Sequence, residues 1–579
     1  MNRLDRAVIA GLVLVVVLAA VAIGGPAFAP KGLGPSVPPT VAVPQVAPYR
    51  EGVLGRPTNV NPLAARSQAD RDLVGLVFSG LVGRDVAGRP IPALAQSWTS
   101  STDGATWTFA LDPLALWQDG EALTSADVVF TIRVLQDPEY RGPGAGSWTG
   151  ITASAVDGAT VRFELETPIG GFLDLATQPI VPAHLLAETP PGAMADDRFG
   201  ETPVGSGPYM IVELDADHAA LEPSTVLAAP APDPASPTPG PSRDPLATER
   251  PSGPSSSPAP AIRRLELRFF DDPEELKAAF RSGELDAVSG LDPAAAATLV
   301  TTPGARALRD PSTTLTAVLV NLRANRPAFA DPRTRAALLG AIDRERILTV
   351  AYGGFATRAD GLIPPSSWAF AGSASLPVAR DLKAAAKALT DAGWTKAKDG
   401  WRRTATDKEP QTLDLLVADR TANPVSFAIA SQIAADWKAL GFAVDIMEHD
   451  PAILATDHLR TGEFDLALVE VAIGHDPDLY PLLGSSQTRT GGANVIGLQD
   501  PALDELLEAA RAPADQAARV AAFAALQTRL SGGTYMLPIA WPDEVIVLKE
   551  RVLGPLSRPV SDGSERFGDV LTWRLADDR

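Results

Sequence analysis

The pattern of apolar and polar positions divides the chain into a membrane-length apolar start and a long body in which strand and helix signals alternate. Residues 7–24 (AVIAGLVLVVVLAAVAIG) carry no charge and follow Arg3 and Arg6. A run of this length is near the lower limit for crossing a bilayer and exceeds most signal-peptide cores. Its basic flank predicts that the N-terminus stays inside. Ala27-Phe28-Ala29 has the spacing of a cleavage site, but Pro30 would follow the cut. We therefore expect an uncleaved anchor, with a cleaved signal peptide as the alternative. In the body, period-two patterning predicts strands at 107–111 and 160–165 (TVRFEL), and strand-like segments at 209–214, 262–270 and 443–447. Residues 125–134 start with a capping Ser125 and carry Asp127 in the first turn, which predicts a helix. Residues 332–350 and 426–440 are further helix candidates, the second closed by Gly441. This is an α/β chain.

Two stretches interrupt the pattern. Residues 26–48 contain Pro26, Pro30, Pro35, Pro38, Pro39, Pro44 and Pro48, which predicts an extended tether. Residues 223–260 are again dense in Pro, Ser and Ala. Proline at this density removes backbone donors and the small residues offer little to bury, so a disordered surface insertion is expected. One element recurs. Arg281-Ser282-Gly283-Glu284-Leu285-Asp286 follows a helical stretch and leads into an apolar strand. About 180 residues on, Arg460-Thr461-Gly462-Glu463-Phe464-Asp465 leads into 466–469. Glycine fits the left-handed position that ends a helix, and two such modules predict two similar α/β lobes.

Composition narrows the function. Apolar residues make up 45% of the 579 positions, enough for a substantial core. Seventy acidic against 50 basic residues give a net charge of -20, which argues against nucleic acid as a partner. Cysteine is absent, so disulfides, thiolate chemistry and a lipid-bearing cysteine are excluded. None of the five histidines is followed by Glu, no Gly-Lys-Ser/Thr phosphate loop occurs, and there is no G-x-S-x-G elbow. Gly144, Gly146 and Gly150 have the wrong spacing for a dinucleotide fingerprint. We expect no enzyme, no cofactor and no metal centre. Trp98, Trp107 and Trp117 are expected in the core, and Arg333 and Arg335 at ion pairs that fix a helix start.

Short motifs in a fixed order carry a resemblance. They begin with Asn61-Pro62, a helix over 70–81 and Pro92-Ala93-Leu94-Ala95 with Trp98. Trp117-Gln118-Asp119-Gly120 and 123–130 (LTSADVVF) follow, then Pro203-Val204-Gly205-Ser206-Gly207-Pro208-Tyr209. The second half has Val320-Asn321, 328–337 (AFADPRTRAA), Ala341-Ile342-Asp343-Arg344, Ile363-Pro364-Pro365 and Ala392-Gly393-Trp394. Over about 54–554 the chain resembles the family 5 bacterial extracellular solute-binding proteins, receptors for oligopeptides, dipeptides and nickel in ABC transport.

The resemblance implies a two-lobed clam-shell of the type II periplasmic-binding-protein kind with an extra subdomain. It implies lobe I from 51–80, 176–310 and 535–579, the subdomain from 81–175, and lobe II from 311–534. It also implies a monomer that binds a peptide or similar small solute between the lobes and passes it to an ABC permease. A ligand-sensing or scaffold protein of the same fold is the alternative. It places the loop 475–480 at the cleft, so Asp476 or Asp478 is expected to meet a ligand ammonium, with His475 as a candidate metal-chelate contact and Asn321 as a further contact. Gly205, Gly207, Pro208 and Tyr209 are expected near the hinge. Two departures stand out: no lipid-anchoring cysteine, and a pocket strand that reads Val469-Glu470-Val471-Ala472-Ile473 without aromatics.

Overall fold

The computed structural model describes residues 47–224, 260–374, 378–404, 407–512 and 516–576. The apolar run 7–24, the tether up to residue 46 and residues 225–259 of the proline-rich stretch lie outside them. Among the described residues no helix is long and apolar enough to cross a membrane.

Strands are labelled in chain order: β1 Tyr49–Leu54, β2 Ala95–Ser100, β3 Thr106–Leu111, β4 Ile151–Asp157, β5 Thr160–Leu165, β6 Tyr209–Leu214, β7 His218–Pro223 and β8 Leu265–Phe270. Then follow β9 Ala287–Ser289, β10 Ala305–Pro311, β11 Thr314–Val320, β12 Ala356–Arg358, β13 Thr412–Ala418, β14 Ala443–His449, β15 Leu466–Ala472 and β16 Met536–Lys549. The helices used below are α1 Gln68–Val77, α2 Ser125–Gln136, α3 Pro273–Ser282, α4 Pro332–Ala341, α5 Arg344–Val350, α6 Leu382–Asp391, α7 Pro424–Leu440, α8 Pro501–Arg511 and α9 Gln516–Gly533.

Twelve strands form one continuous sheet, ordered β14-β13-β15-β11-β16-β9-β1-β8-β7-β6, with β10 and β12 also on β16. Continuity rests on β16. Its 14 residues extend about 45 Å at strand rise. The first half pairs with β11 (Met536 opposite Leu319) and the second with β10 (Lys549 opposite Ala305). The chain thus passes between two half-sheets at 311–314 and again at 541–543, where Ser312 N donates to Pro542 O at 3.0 Å. Each half-sheet is covered on both faces. In lobe I, Tyr49, Leu265 and Leu548 share a core with Phe109 and Phe163, while Val545 and Val547 pack on Leu276 and Phe280. On the other half-sheet, which includes the first half of β16 although 535–579 was expected in lobe I, Val318, Leu415 and Ile539 pack on Trp437, and Leu319, Val471 and Trp541 on the face with Phe523. Burial on both faces explains why these strands read as apolar runs rather than alternations. The separate sheet β2-β3-β5-β4 belongs to the lobe I core. Trp117 is fully buried and Trp107 nearly so.

Local signals mostly place the elements. Thr124, one residue before the expected Ser125, caps α2 in a box with Asp127. Gly441 ends α7 at φ 111°. The helix expected over 332–350 is broken in two. Ile342 is extended (ψ 129°) because Asp343 caps α5 through Arg346 N, while Asp343 N donates to Asp436 Oδ2 at 2.9 Å. The recurrent module appears in both lobes: Gly283 and Gly462 have positive φ, β9 runs parallel to β1, and β15 parallel to β13.

Candidate functional site

Two glutamates interrupt apolar strands beside the passage between the half-sheets. Glu470 stands on β15 opposite Thr316, whose hydroxyl bonds to Tyr352 Oη at 2.7 Å. Its carboxylate accepts from the side chain of Asn423, which caps α7 through Ser426 N at 2.9 Å. Asn423 follows the C-terminal end of β13, in the kind of crevice where open α/β sheets hold ligands. Glu544 stands on β16 opposite Asp310. Both glutamates are exposed to solvent, and the protein packed around each raises the pKa of its carboxyl. For Glu544, Asp562, Asp72 and Glu470 add to that rise and Arg566 opposes it. Glu470 acting on Glu544 puts the two within electrostatic range of one another. Neither forms an ion pair among the described residues. Partly desolvated carboxylates without a counter-charge are suited to a cation, an ammonium or a guanidinium.

The loop expected to do this work is occupied otherwise. Asp476 grips Arg519 with both oxygens, at 2.6 and 2.8 Å, and Arg519 lies on the Trp368 ring at 4.8 Å. Asp476 N donates to Asp174 Oδ2 at 2.6 Å. Burial outweighs Arg519 and raises the Asp476 carboxyl. Asp478 pairs with Arg511 at 3.1 Å and caps Tyr480 N at 3.0 Å. His475, buried, meets Glu565 Oε2 through Nε2 at 2.8 Å. Asp174 and Gly170 precede the β6–β8 half-sheet in the chain and Glu565 follows β16, and Gly170 N–H donates to Arg511 O at 2.8 Å. The loop is therefore a latch between the halves, with its charges paired inside the protein.

Asn321 ties backbone segments together. It is fully buried and its amide donates to Gly462 O (2.9 Å) and Phe464 O (2.7 Å), tying the end of β11 to the turn before β15. Gly205 and Gly207 lie against the end of α1. They let the chain press on the end of α1: Gly207 N donates to Val77 O at 2.7 Å, and a Cβ on Gly205 would sit 1.9 Å from that oxygen. Pro208 O accepts from Ser224 N and Tyr209 Oη donates to Ile262 O at 3.0 Å, which fastens the β6 edge. Arg333 pairs with Asp331 as expected, but Arg335 meets only carbonyl oxygens. Among the described residues no group of three or more His, Asp or Glu side chains is placed to hold a metal.

The description matching residues 89–493 is that of the middle region of the bacterial extracellular solute-binding proteins, family 5. The chain belongs to that family. Protein XP55 of Streptomyces lividans is 28% identical over 507 residues, covering 86% of this chain and 84% of that one. The nickel-binding periplasmic protein of Escherichia coli is 24% identical, covering 85% and 89%. The oligopeptide-binding protein AppA of Bacillus subtilis is 22% identical, covering 91% of each. Its structure with a nonapeptide superposes with a TM-score of 0.69 at 20% identity, over 92% of this chain and all of that one. This solute-binding protein accordingly has the α/β architecture of the type II periplasmic binding proteins.

Motif order pointed to the latch and passed over Glu470 and Glu544. The signal that finds them is a carboxylate set in an otherwise apolar strand, Glu470 in LALVEVA and Asp543-Glu544 before the VIVL end of β16.

Proposed function

We propose that this solute-binding protein is the extracytoplasmic receptor of an ABC importer, and that it takes an amine- or guanidine-bearing solute, such as a short peptide, against Glu470 and Glu544. Residues 7–24 hold the body at the outer face of the membrane. The observation that carries the ligand class is the pair of carboxylates without a counter-charge beside the passage between the lobes. The nonapeptide bound by AppA and the nickel bound by the Escherichia coli relative are both compatible with an anionic site. A charge-assisted contact contributes about 1.5–3 kcal/mol, so Glu544→Gln or Glu470→Gln should weaken binding roughly ten- to hundredfold. Calorimetric titration with co-purifying ligand, and with short peptides before and after N-terminal acetylation, tests this. Equal binding by both variants and the parent removes the crevice from the site. Because the raised carboxyls must be ionised to attract a cation, affinity should fall on acidification, beginning above the ordinary carboxylate range. Fractionation with N-terminal sequencing tests the anchor; a soluble mature chain starting near residue 23 or 30 replaces it with a cleaved signal.

A further inference from the structure

At the end of lobe II remote from the passage, a cavity of about 490 Å³ lies between the segment after β11, residues 497–500 and the start of β16. The seven residues of β11 separate it from the passage by about 23 Å. Arg323 lines it in a fixed pose. Nη1 donates to Val495 O at 2.6 Å and reaches Asn321 Oδ1 at 3.4 Å. Gly462 and Gly497 make room for the side chain, since a Cβ on either would come within 2.4 Å of it. Its Nε and Nη2, the edge that grips an oxyanion through two parallel hydrogen bonds, have no acceptor among the described residues. Glu463 acts on Arg323 only at a distance, because Arg326 holds Glu463 at 3.4 Å and Asp465 at 2.8 Å.

Arg335 lines the same cavity, stacked on Tyr535 at 5.8 Å, and its guanidinium meets only the carbonyls of Phe329, Ala330, Gly533 and Thr534. Asp500, the acid in the lining, is engaged by Arg529 at 2.6 Å and by Tyr535 Oη at 2.5 Å. Two guanidinium charges without a carboxylate partner thus face one cavity, in a chain whose net charge is -20.

We propose that this cavity is a second ligand site, which binds a small oxyanion, a phosphate or carboxylate group, on the Nε–Nη2 edge of Arg323 with Arg335 behind it. The test is calorimetric titration of the full chain with inorganic phosphate and, separately, with acetate, in chloride at constant ionic strength. Saturable one-to-one binding of either anion is expected, and the anion that binds identifies the source. Arg323→Gln should weaken it at least tenfold. Arg323→Lys, which keeps the charge and loses the fork, should fall between that variant and the parent. Glu544→Gln should bind the anion as the parent does. Denaturation midpoints of the Arg323 variants within experimental error of the parent's show that the cavity wall has survived. Absence of saturable binding by both anions, or equal binding by folded Arg323→Gln, overturns the proposal.

Discussion

Carboxylates occur on lobe I and at the passage in two contrasting settings. Around Arg566 they are buried and paired. Arg566 meets Asp72 at 2.6 and 2.7 Å and Glu51 at 2.8 Å, all three at 3% exposure or less, and Tyr49 Oη donates to Glu51 Oε2 at 2.8 Å. This network joins β1, α1 and the 3₁₀ helix Gly563–Thr572. Beside the passage, Glu470 and Glu544 are raised by the protein packed around them and have no such partner. A paired carboxylate holds elements together. One left exposed without a cationic partner is free to meet a ligand cation. The latch at 475–478 falls in the first group, although motif order assigns it to the second.

The contrast breaks first at Arg566. Arg566→Met leaves Glu51 and Asp72 buried without a cation, and stability in a denaturant melt should fall by about 3–5 kcal/mol. A loss below 1 kcal/mol would mean that the network is not what joins these segments.

Asp476→Asn, which breaks the bidentate grip on a nearly buried Arg519, should cost about 3 kcal/mol in the same measurement. If stability holds and only ligand affinity falls, Asp476 belongs to the site after all.

Asp310 sharpens the comparison through pH. It is fully buried, its Oδ2 has no hydrogen-bond partner, and burial pushes its carboxyl from 3.8 up to about 6, against the pull of Arg558. The folded state therefore favours the neutral acid. Its contribution is complete below about pH 4 and is lost as pH rises from 4 to 6, so acidification from pH 7 towards 5 should stabilise the protein through this group. Asp310→Asn should flatten that dependence and raise stability at pH 7 by on the order of 2 kcal/mol. Parallel melts of parent and variant from pH 4.5 to 7.5 read it; identical slopes would place the titration elsewhere.

Glu544→Gln and Glu470→Gln should be at least as stable as the parent at pH 7, opposite in sign to Arg566→Met. A clear loss in Glu544→Gln would reveal a structural partner for that carboxylate, and one in Glu470→Gln would mean that its bond from Asn423 holds the fold.

The smallest effect is expected at the proline-rich insertion. Leu221 on β7 pairs with Leu265 on β8, and Arg264 reaches Glu213, Glu222 and Glu266 across three strands, so the flanks are already fastened. Loop length changes closure cost by only about 0.6 kcal/mol per doubling. Replacing 225–259 with a short Gly/Ser linker should leave the melting temperature nearly unchanged, and a drop of several degrees would show that the segment packs on the body.

Local pattern was a good guide wherever neighbours in sequence decide the outcome. Residues 160–165 and 209–214 are strands as read, α7 stops at Gly441 as read, and α2 and α7 start within two residues of the expected positions. The same kind of reading overran at 332–350, because Asp436, a residue 93 positions from Asp343, accepts the N–H that ends the helical path. Motif order was enough to bring the chain to its family, since that signal depends only on succession along the sequence.

The site was another matter. Asp476, Glu470 and Glu544 are all carboxylates in or beside apolar strands, and by sequence alone they are alike. Only the fold sets Arg519 against Asp476 while leaving Glu470 and Glu544 facing each other's field, and it does so through contacts between residues 43 to 302 positions apart. Nor does period or composition disclose that β16 is long enough to serve both half-sheets, which is what puts Glu544 beside the passage. The sequence by itself determined which residues could carry charge in strands meant to be buried. The tertiary structure decided which of those charges found a partner, because the energy of a buried charge depends on what lies within a few ångströms of it, and chain order does not specify that.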